Sequence, residues 1–463
     1  MIAAVWVLFF VGFSLLALTR HPLYALAVYF GTVYVHPPSR WWSSMLPETR
    51  WALISAIVML WAIWLHRRKI ERTDHWLSSA PAVLMSIYIV WMWIQVPWAM
   101  DVESHVEGTI KYMKYLMAFW FIYRLCDTLA HLRVVLLLHV LGCALLGILA
   151  YYTPREGGRL NGVGGPGIDD ANTLGMYLTT GALLCVGLMV SSKGWRRWAL
   201  LIPLALIGEG FVLANSRGSF LGLIAGGLAL SACIAKAHRA SFWALAMVGV
   251  LGFAAAVDQV FIDRMFTIGD VSSESEEADM SARSRKVVAE AQLRMAVAYP
   301  HGSGYRGTVV LSPKYLDRQW LTVAPGEDES QAGRASHNTF LTHLVEFGVP
   351  GATLFLTVVV WVVSRIVVLR RWARRGVDPA AISLGGALCA ALVAIFVSGT
   401  ATDYFMAEVQ FWLLAALAAD LRLGRALIPE PRDSRLGRAG AVGQAVAGST
   451  RGVVAPQPTG PGR

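Results

Sequence analysis

Apolar runs of helical length recur along almost the whole chain. Most are long enough, or nearly so, to cross a membrane as helices, and short polar segments separate them. Because 56% of the 463 residues are hydrophobic and only 15% are charged, the chain has far more apolar surface than a soluble domain could bury. The predicted spans lie at about residues 2–18, 22–36, 51–65, 79–99, 112–125, 133–153, 173–190, 198–214, 219–235, 241–257, 338–364, 380–400 and 404–421.

We therefore predict an all-α polytopic integral membrane protein with about 12–13 transmembrane helices. The basic clusters fall in alternate connections, as expected for cytoplasmic loops: they are His66–Lys69, Lys193–Arg197, Lys236–Arg239 and Arg370–Arg375. Topology and a basic tail account for the net charge of +10, which therefore does not indicate nucleic-acid binding. The remaining connections face the opposite side of the membrane.

One polar interval is far longer than the other connections. It divides the chain into N-terminal transmembrane helices (1–257), a catalytic cap loop (258–336), C-terminal transmembrane helices (337–428) and a disordered cytoplasmic tail (429–463). The loop contains a predicted amphipathic helix, and its apolar stripe is expected to face the membrane part of the protein while Arg285 points away. The stripe consists of Val287, Val288, Ala291, Met295 and Ala298.

Three basic side chains on the loop side are candidates for chemistry. Arg217 directly follows an apolar run, where a guanidinium is costly unless it is paired or lines a wet cavity, although it could also reach the headgroups. Arg285 lies on the loop helix, where a solvated surface charge is the simpler interpretation. His337 opens the next span and could accept a proton near neutral pH, or it could simply bond the backbone at a helix end.

A second group of polar residues could bind a donor or an acceptor. Four of them lie in the loop before the seventh span, where a glycine run permits close approach of a ligand, although a plain flexible turn explains the run equally well. The five cysteines lie in or beside apolar runs and indicate neither a disulfide nor a metal cluster. The second group is Arg159, Asp169, Asp170, Asn172 and Asn338.

The order of the motifs resembles the O-antigen ligase and polymerase superfamily over roughly residues 80–420. Arg20–Pro22 and Tyr34–Pro38 at the start of the chain resemble one branch of it, the exosortase-associated O-glycosylation ligases. The motifs that carry the resemblance are Arg159–Gly162, Gly164–Asn172, Asn215–Gly218, Arg285 followed by Pro300–Gly304, Ser336–Leu341 and Glu346–Gly348.

The resemblance implies a glycosyltransferase of the bacterial inner membrane that uses neither a metal nor a cofactor. It would transfer a glycan, with inversion, from an undecaprenyl diphosphate-linked donor to an acceptor hydroxyl, such as that of lipid A-core, on the periplasmic side. Arg217 and Arg285 would bind the diphosphate through guanidinium forks, and His337 would act as general base.

Other readings remain open from the sequence. The same chemistry would serve a protein O-oligosaccharyltransferase or a polymerase of O-antigen or exopolysaccharide, because donor handling is shared. A transporter of lipid-linked sugars belongs to a different class. It predicts charged residues at mid-membrane and internal repeats, which the chain does not clearly show.

Overall fold

Helices account for almost all of the regular structure in the computed structural model of the protein. The structure describes residues 1–70, 74–155, 160–257, 259–266, 276–322 and 332–428, and among these only two isolated β-bridges form. The helices are α1 (Ile2–Thr19), α2 (Leu23–Val35), α3 (Trp51–Leu65), α4 (Ala80–Gln95), α5 (Val102–Leu125), α6 (Leu129–Tyr152), α7 (Ala171–Ser191), α8 (Trp195–Ala199), α9 (Leu201–Ala214), α10 (Arg217–Cys233), α11 (Arg239–Ala256), α12 (Gln259–Phe266), α13 (Glu276–Ala298), α14 (Gly307–Tyr315), α15 (Thr339–Glu346), α16 (Gly348–Arg374), α17 (Pro379–Ser398) and α18 (Val409–Ala426).

Eight helical segments in the described part of the chain are long and apolar enough to cross a membrane. The other predicted spans are helical too, but α2, α3 and α10 are shorter, and α5 and α18 carry more charge. The predicted all-α, multi-pass architecture is thereby confirmed. The eight segments are Ile2–Thr19, Ala80–Trp98, Leu129–Tyr152, Ala171–Ser191, Trp195–Ala214, Lys236–Ala256, Gly348–Arg374 and Pro379–Ser398.

The predicted span at 338–364 is wrong as a single helix, because it divides into α15 and α16. Gly348 has a φ of +67°, and a Cβ there would lie 2.4 Å from the carbonyl carbon of His301, so only glycine fits. The segment 300–304 packs into this break. Three backbone hydrogen bonds hold it there, from Ser303 N to Val345 O (3.0 Å), from Gly304 N to Glu346 O (2.8 Å) and from Val349 N to Pro300 O (2.8 Å).

Helix α5 also differs from its prediction, since it begins at Val102 rather than near residue 112. Asp101 caps it by accepting a hydrogen bond from Ser104 N (2.9 Å). Gly108 then packs so tightly against Tyr305 that an added Cβ would lie 2.7 Å from its ring. The first turns of α5 therefore support the segment after α13, which the hydropathy of the sequence alone does not reveal.

The connections separate to two ends of the helical bundle, as the alternation of basic clusters predicts. At the end that carries α13 and α14, Arg40 Nη1 donates to Val163 O (3.0 Å) and Met100 N donates to Ser303 O (2.8 Å). At the other end, Arg422 Nη2 donates to Cys126 O (2.6 Å). We refer to the first of these as the cap end.

Helices α10 and α17 make a close contact that fixes the position of Arg217. A Cβ added at Gly222 would lie 2.2 Å from Ser398 Oγ and 2.7 Å from Ala394 O, so the helix backbones nearly touch. Ser398 Oγ also donates to Gly218 O at 2.9 Å. The first turn of α10 is thereby attached to the C-terminal end of α17, where the connection to α18 begins.

Candidate functional site

The turn between α9 and α10 places Arg217 at the cap end of the bundle. Asn215 ends α9 in the left-handed conformation (φ 50°, ψ 48°), which asparagine tolerates better than most residues. Ser216 then caps α10 by accepting a hydrogen bond from Ser219 N (3.3 Å). Arg217 is therefore the first helical residue, and its side chain is half-buried.

Asn172 joins the start of α7 to this turn. Its side-chain oxygen accepts a hydrogen bond from Ser216 Oγ (3.0 Å), and its backbone oxygen accepts one from Ser219 Oγ (3.2 Å). Asp170 caps α7 by accepting from Asn172 N (2.8 Å) and Thr173 N (3.2 Å). The first turns of α7 and α10 are therefore held side by side.

The start of α15 carries His337 and Asn338. Asn338 is the N-cap, and its Oδ1 accepts from Phe340 N (2.9 Å) and Leu341 N (3.2 Å). Its Nδ2 donates to Thr400 O (3.0 Å) in the α17–α18 connection. His337 precedes the cap and is half-buried.

Tyr404, in the same connection, contacts both of these regions. Its hydroxyl donates to Asn172 O (3.1 Å), and its backbone N–H donates to Thr339 Oγ1 (2.8 Å). Burial raises the pKa of the Tyr404 hydroxyl, while the nearby positive charge of Arg285 acts in the opposite direction. One buried tyrosine thus contacts α7 and α15 and experiences the charge of a residue on α13.

Helix α13 packs differently from the expectation. Val288, Ala291 and Met295 are buried in a small core with α14 and α15, but Ala298 is exposed. Gln292 is buried and donates to Ser336 Oγ (2.9 Å), beside His337. Arg285 lies three residues before Val288 and seven residues before Gln292. It is therefore on the same face of the helix as these buried residues and does not point away from the protein.

The structure brings most of the predicted site residues to the cap end. Three different elements carry Arg217, Arg285 and His337. Hydrogen bonds made by Ser216, Ser336 and Tyr404 connect these elements to neighbouring segments. Asp169 is exposed and interacts electrostatically with Lys111 on α5. Arg159 lies outside the described residues.

One buried and one half-buried carboxyl group lie behind this region. Glu346 accepts hydrogen bonds from Arg306 N (3.0 Å) and Thr308 N (3.4 Å), and it caps the start of α14. Burial and the neighbouring Asp403 raise the pKa of Glu346 to about 8. Burial also raises the pKa of Asp403, to about 6. Both groups bind protons more tightly than ordinary carboxyl groups do.

A metal site is not apparent in the part of the chain that the structure describes. No group of three or more His, Cys, Asp or Glu side chains there could hold a metal ion. The basic and polar groups on the first turns of α7, α10 and α15 are instead hydrogen-bond donors and cations of the type that bind anions.

Comparison with known protein families identifies the region that contains the three basic residues. The model of the O-Antigen ligase family matches residues 202–356. This stretch is therefore similar to the O-antigen ligase superfamily. A comparison with curated proteins gave no match. The similarity supports a glycosyl-transferring role in glycan assembly.

The O-antigen ligase match runs from α9 into α16 and so includes Arg217, Arg285 and His337, but it ends before Tyr404 and begins after Asn172. Sequence reasoning identified Asn172 and missed Tyr404, which was assigned to the beginning of a span. The signal that could have found it is the polar run Ser398–Asp403, which lies on the loop side by the alternation of connections.

Proposed function

We propose that the protein is an O-antigen ligase that transfers a glycan from undecaprenyl diphosphate to a hydroxyl of lipid A-core, on the periplasmic side of the bacterial inner membrane. The match of residues 202–356 to the O-antigen ligase family supports the reaction class. The main structural support is the hydrogen-bond network around Asn172 and Tyr404, which joins the helix that begins with Arg217 to the helix that follows His337.

In this proposal Arg217 and Arg285 bind the donor diphosphate. A diphosphate leaving group gains negative charge as the glycosidic bond breaks, and a guanidinium can hold two phosphate oxygens at once. Arg217 would act from the bundle and Arg285 from the cap. Positive charge that is already in place stabilises the transition state without reorganisation, which is typically the largest catalytic contribution.

His337 is the proposed general base. The acceptor oxygen attacks the anomeric carbon while the bond from that carbon to the phosphate oxygen breaks. The acceptor proton passes to the His337 imidazole, and the leaving electron pair stays on the diphosphate. A single displacement of this kind inverts the anomeric carbon and requires no metal ion. Proton transfer of this type contributes about 10²–10⁴-fold.

The second group of residues would shape the pocket rather than perform chemistry. Asp170 and Asn338 use their side chains as helix caps, and Asn172 uses its side chain to hold Ser216. We propose that these three fix the backbone around the donor. Asp169 is exposed beside Lys111 and would contact the donor or the acceptor, a role that we also assign to Arg159.

The decisive experiment measures transfer of a labelled undecaprenyl diphosphate-linked glycan in proteoliposomes. His337→Ala should reduce transfer by about 10²–10⁴-fold, whereas His301→Ala, at an exposed histidine of the cap end, should not. Full transfer by the His337→Ala variant would refute the general-base role.

Lysine substitutions test the diphosphate site in the same assay. Arg217→Lys should reduce transfer by about tenfold or more, because a point charge cannot replace a planar fork. Arg294→Lys is the matched control at an exposed position of α13. Wild-type transfer by the Arg217→Lys variant would contradict bidentate binding there.

Offering lipid A-core, an acceptor protein and the free carrier-linked glycan in separate reactions identifies the acceptor. Product formed only with protein would indicate an O-oligosaccharyltransferase, and extended carrier-linked product would indicate a polymerase. Loss of labelled donor from one leaflet without any transfer would indicate a transporter.

A further inference from the structure

Tyr404 occupies a junction that the proposed chemistry does not assign to any residue. It lies in the connection between α17 and α18, and only 2% of its surface is exposed. Its hydroxyl contacts α7, and its backbone contacts α15. It also lies close enough to Arg285 on α13 to interact with its charge.

The contact with α7 reaches Arg217 in two steps. Tyr404 Oη donates to Asn172 O at 3.1 Å, and Ser219 Oγ of α10 donates to the same oxygen at 3.2 Å. Asn172 Oδ1 in turn accepts from Ser216 Oγ, at the N-cap position directly before Arg217. The Tyr404 hydroxyl therefore binds the backbone oxygen of Asn172, the same oxygen through which α10 is bonded to the first turn of α7.

The contact with α15 reaches His337 in a similar way. Tyr404 N donates to Thr339 Oγ1, which itself donates to Thr402 O (2.9 Å), and Thr339 N donates to Gly399 O (2.8 Å). Thr339 is the first residue of α15 and lies two positions after His337. The two sides of the proposed pocket thus meet at a single residue.

We infer that Tyr404 is a positioning residue whose hydroxyl sets the distance between the helix start at Arg217 and the helix start after His337. The inference rests on the proposed function. The base and the diphosphate must be held on opposite sides of one reacting carbon. A displacement of about 1 Å from such a geometry lowers the rate by up to 10²-fold.

Tyr404→Phe separates this role from general packing. The variant keeps the ring and the backbone bond to Thr339 and removes the hydroxyl, and with it the bond to Asn172 O, an oxygen that Ser219 still satisfies in part. The matched control is Tyr115→Phe. Tyr115 is also buried and donates its hydroxyl to a backbone oxygen of the same connection, Met406 O (2.9 Å), but it lies on α5.

In the transfer assay, Tyr404→Phe should lower kcat by about tenfold or more while the donor KM stays within about twofold, because both arginines can still bind the phosphates. Tyr115→Phe should leave kcat within about twofold. The two variants should have similar melting temperatures. An unchanged kcat in Tyr404→Phe, or an equal loss of kcat in both variants, overturns the positioning role.

Hydrogen exchange tests the inference without any substrate. Tyr404→Phe should accelerate exchange at the amides of Leu174 and Phe220, in the first turns of α7 and α10, and Tyr115→Phe should not. Unchanged exchange in Tyr404→Phe overturns the inference. If the wild-type protein transfers no glycan while Tyr404→Phe still accelerates exchange, the proposed function fails and the coupling stands.

Discussion

Glu346 should make the stability of the protein fall as the pH rises towards 8. The residue is 4% exposed, and its pKa is raised from 4.5 to about 8 by burial and by Asp403. A group whose pKa is higher in the folded chain contributes stability below its unfolded pKa. That contribution is lost as the pH rises through the folded pKa.

The size of the effect follows from the two pKa values. At pH values between the unfolded and the folded pKa of Glu346, this carboxyl group ionises only in the unfolded chain. Each pH unit in this range lowers the free energy of unfolding by about 1.4 kcal/mol. Asp403, with a pKa of about 6, contributes in the same direction mainly below pH 6. The contribution of Glu346 to the loss between pH 6 and pH 8 therefore amounts to roughly 2–3 kcal/mol. Glu408, whose pKa burial raises to about 7, adds to this loss below pH 7.

Glu346→Gln isolates this contribution, because an amide does not ionise in this range and still offers one oxygen to the N–H groups of Arg306 and Thr308. The melting temperature of the purified protein, followed by tryptophan fluorescence in detergent from pH 5 to pH 9, is the measurement. Between pH 6 and pH 8 the wild-type protein should lose more stability than Glu346→Gln does. Parallel curves for the two proteins would refute the reasoning.

Three further pairs of substitutions test other parts of the fold. Gly222→Ala should destabilise the protein by about 1–3 kcal/mol, because the new Cβ meets the backbone of α17. Gly227→Ala on the same helix faces open space and should be neutral or slightly stabilising in the same melting experiment. Arg40→Ala removes hydrogen bonds to three backbone oxygens and should cost roughly 2–3 kcal/mol, and Arg40→Lys should recover little of that stability. Asn338→Ala should lower stability by about 1–2 kcal/mol through loss of the cap. Asn338→Asp should keep the cap and lose only the bond to Thr400 O, so it should destabilise the protein less than Asn338→Ala does. It should nevertheless reduce glycan transfer, because it places a negative charge beside the proposed diphosphate site. Full transfer by Asn338→Asp would contradict that placement.

The sequence was sufficient to predict the membrane helices and their alternation, because hydropathy and short-range signals carry that information. The tight turn before Arg217 is an example, since Asn215 and Ser216 are a good helix end and a good helix cap in succession. The start of α15 at Asn338 could be predicted for the same reason.

The break between α15 and α16 could not be predicted, because its cause lies elsewhere in the chain. The backbone of 300–304 supplies the hydrogen bonds that stabilise it, and Gly348 alone in an apolar run does not reveal that partner. The same limit applies to Arg285, since helical periodicity shows which residues share a face but not what that face packs against. Tyr404 resembles an ordinary interfacial aromatic until Asn172 and Thr339 are seen around it.

The attachment of segment 300–304 has a consequence for substrates. Its backbone bonds join the C-terminal end of α13 to the start of α16 and to the segment before α5, so a swing of α13 and α14 as one rigid flap would break all of them together. In the proposed function, α13 and α14 would therefore stay in place while the glycan donor binds. The choice of glycan would then depend on the fixed positions of these two helices rather than on their movement as a flap.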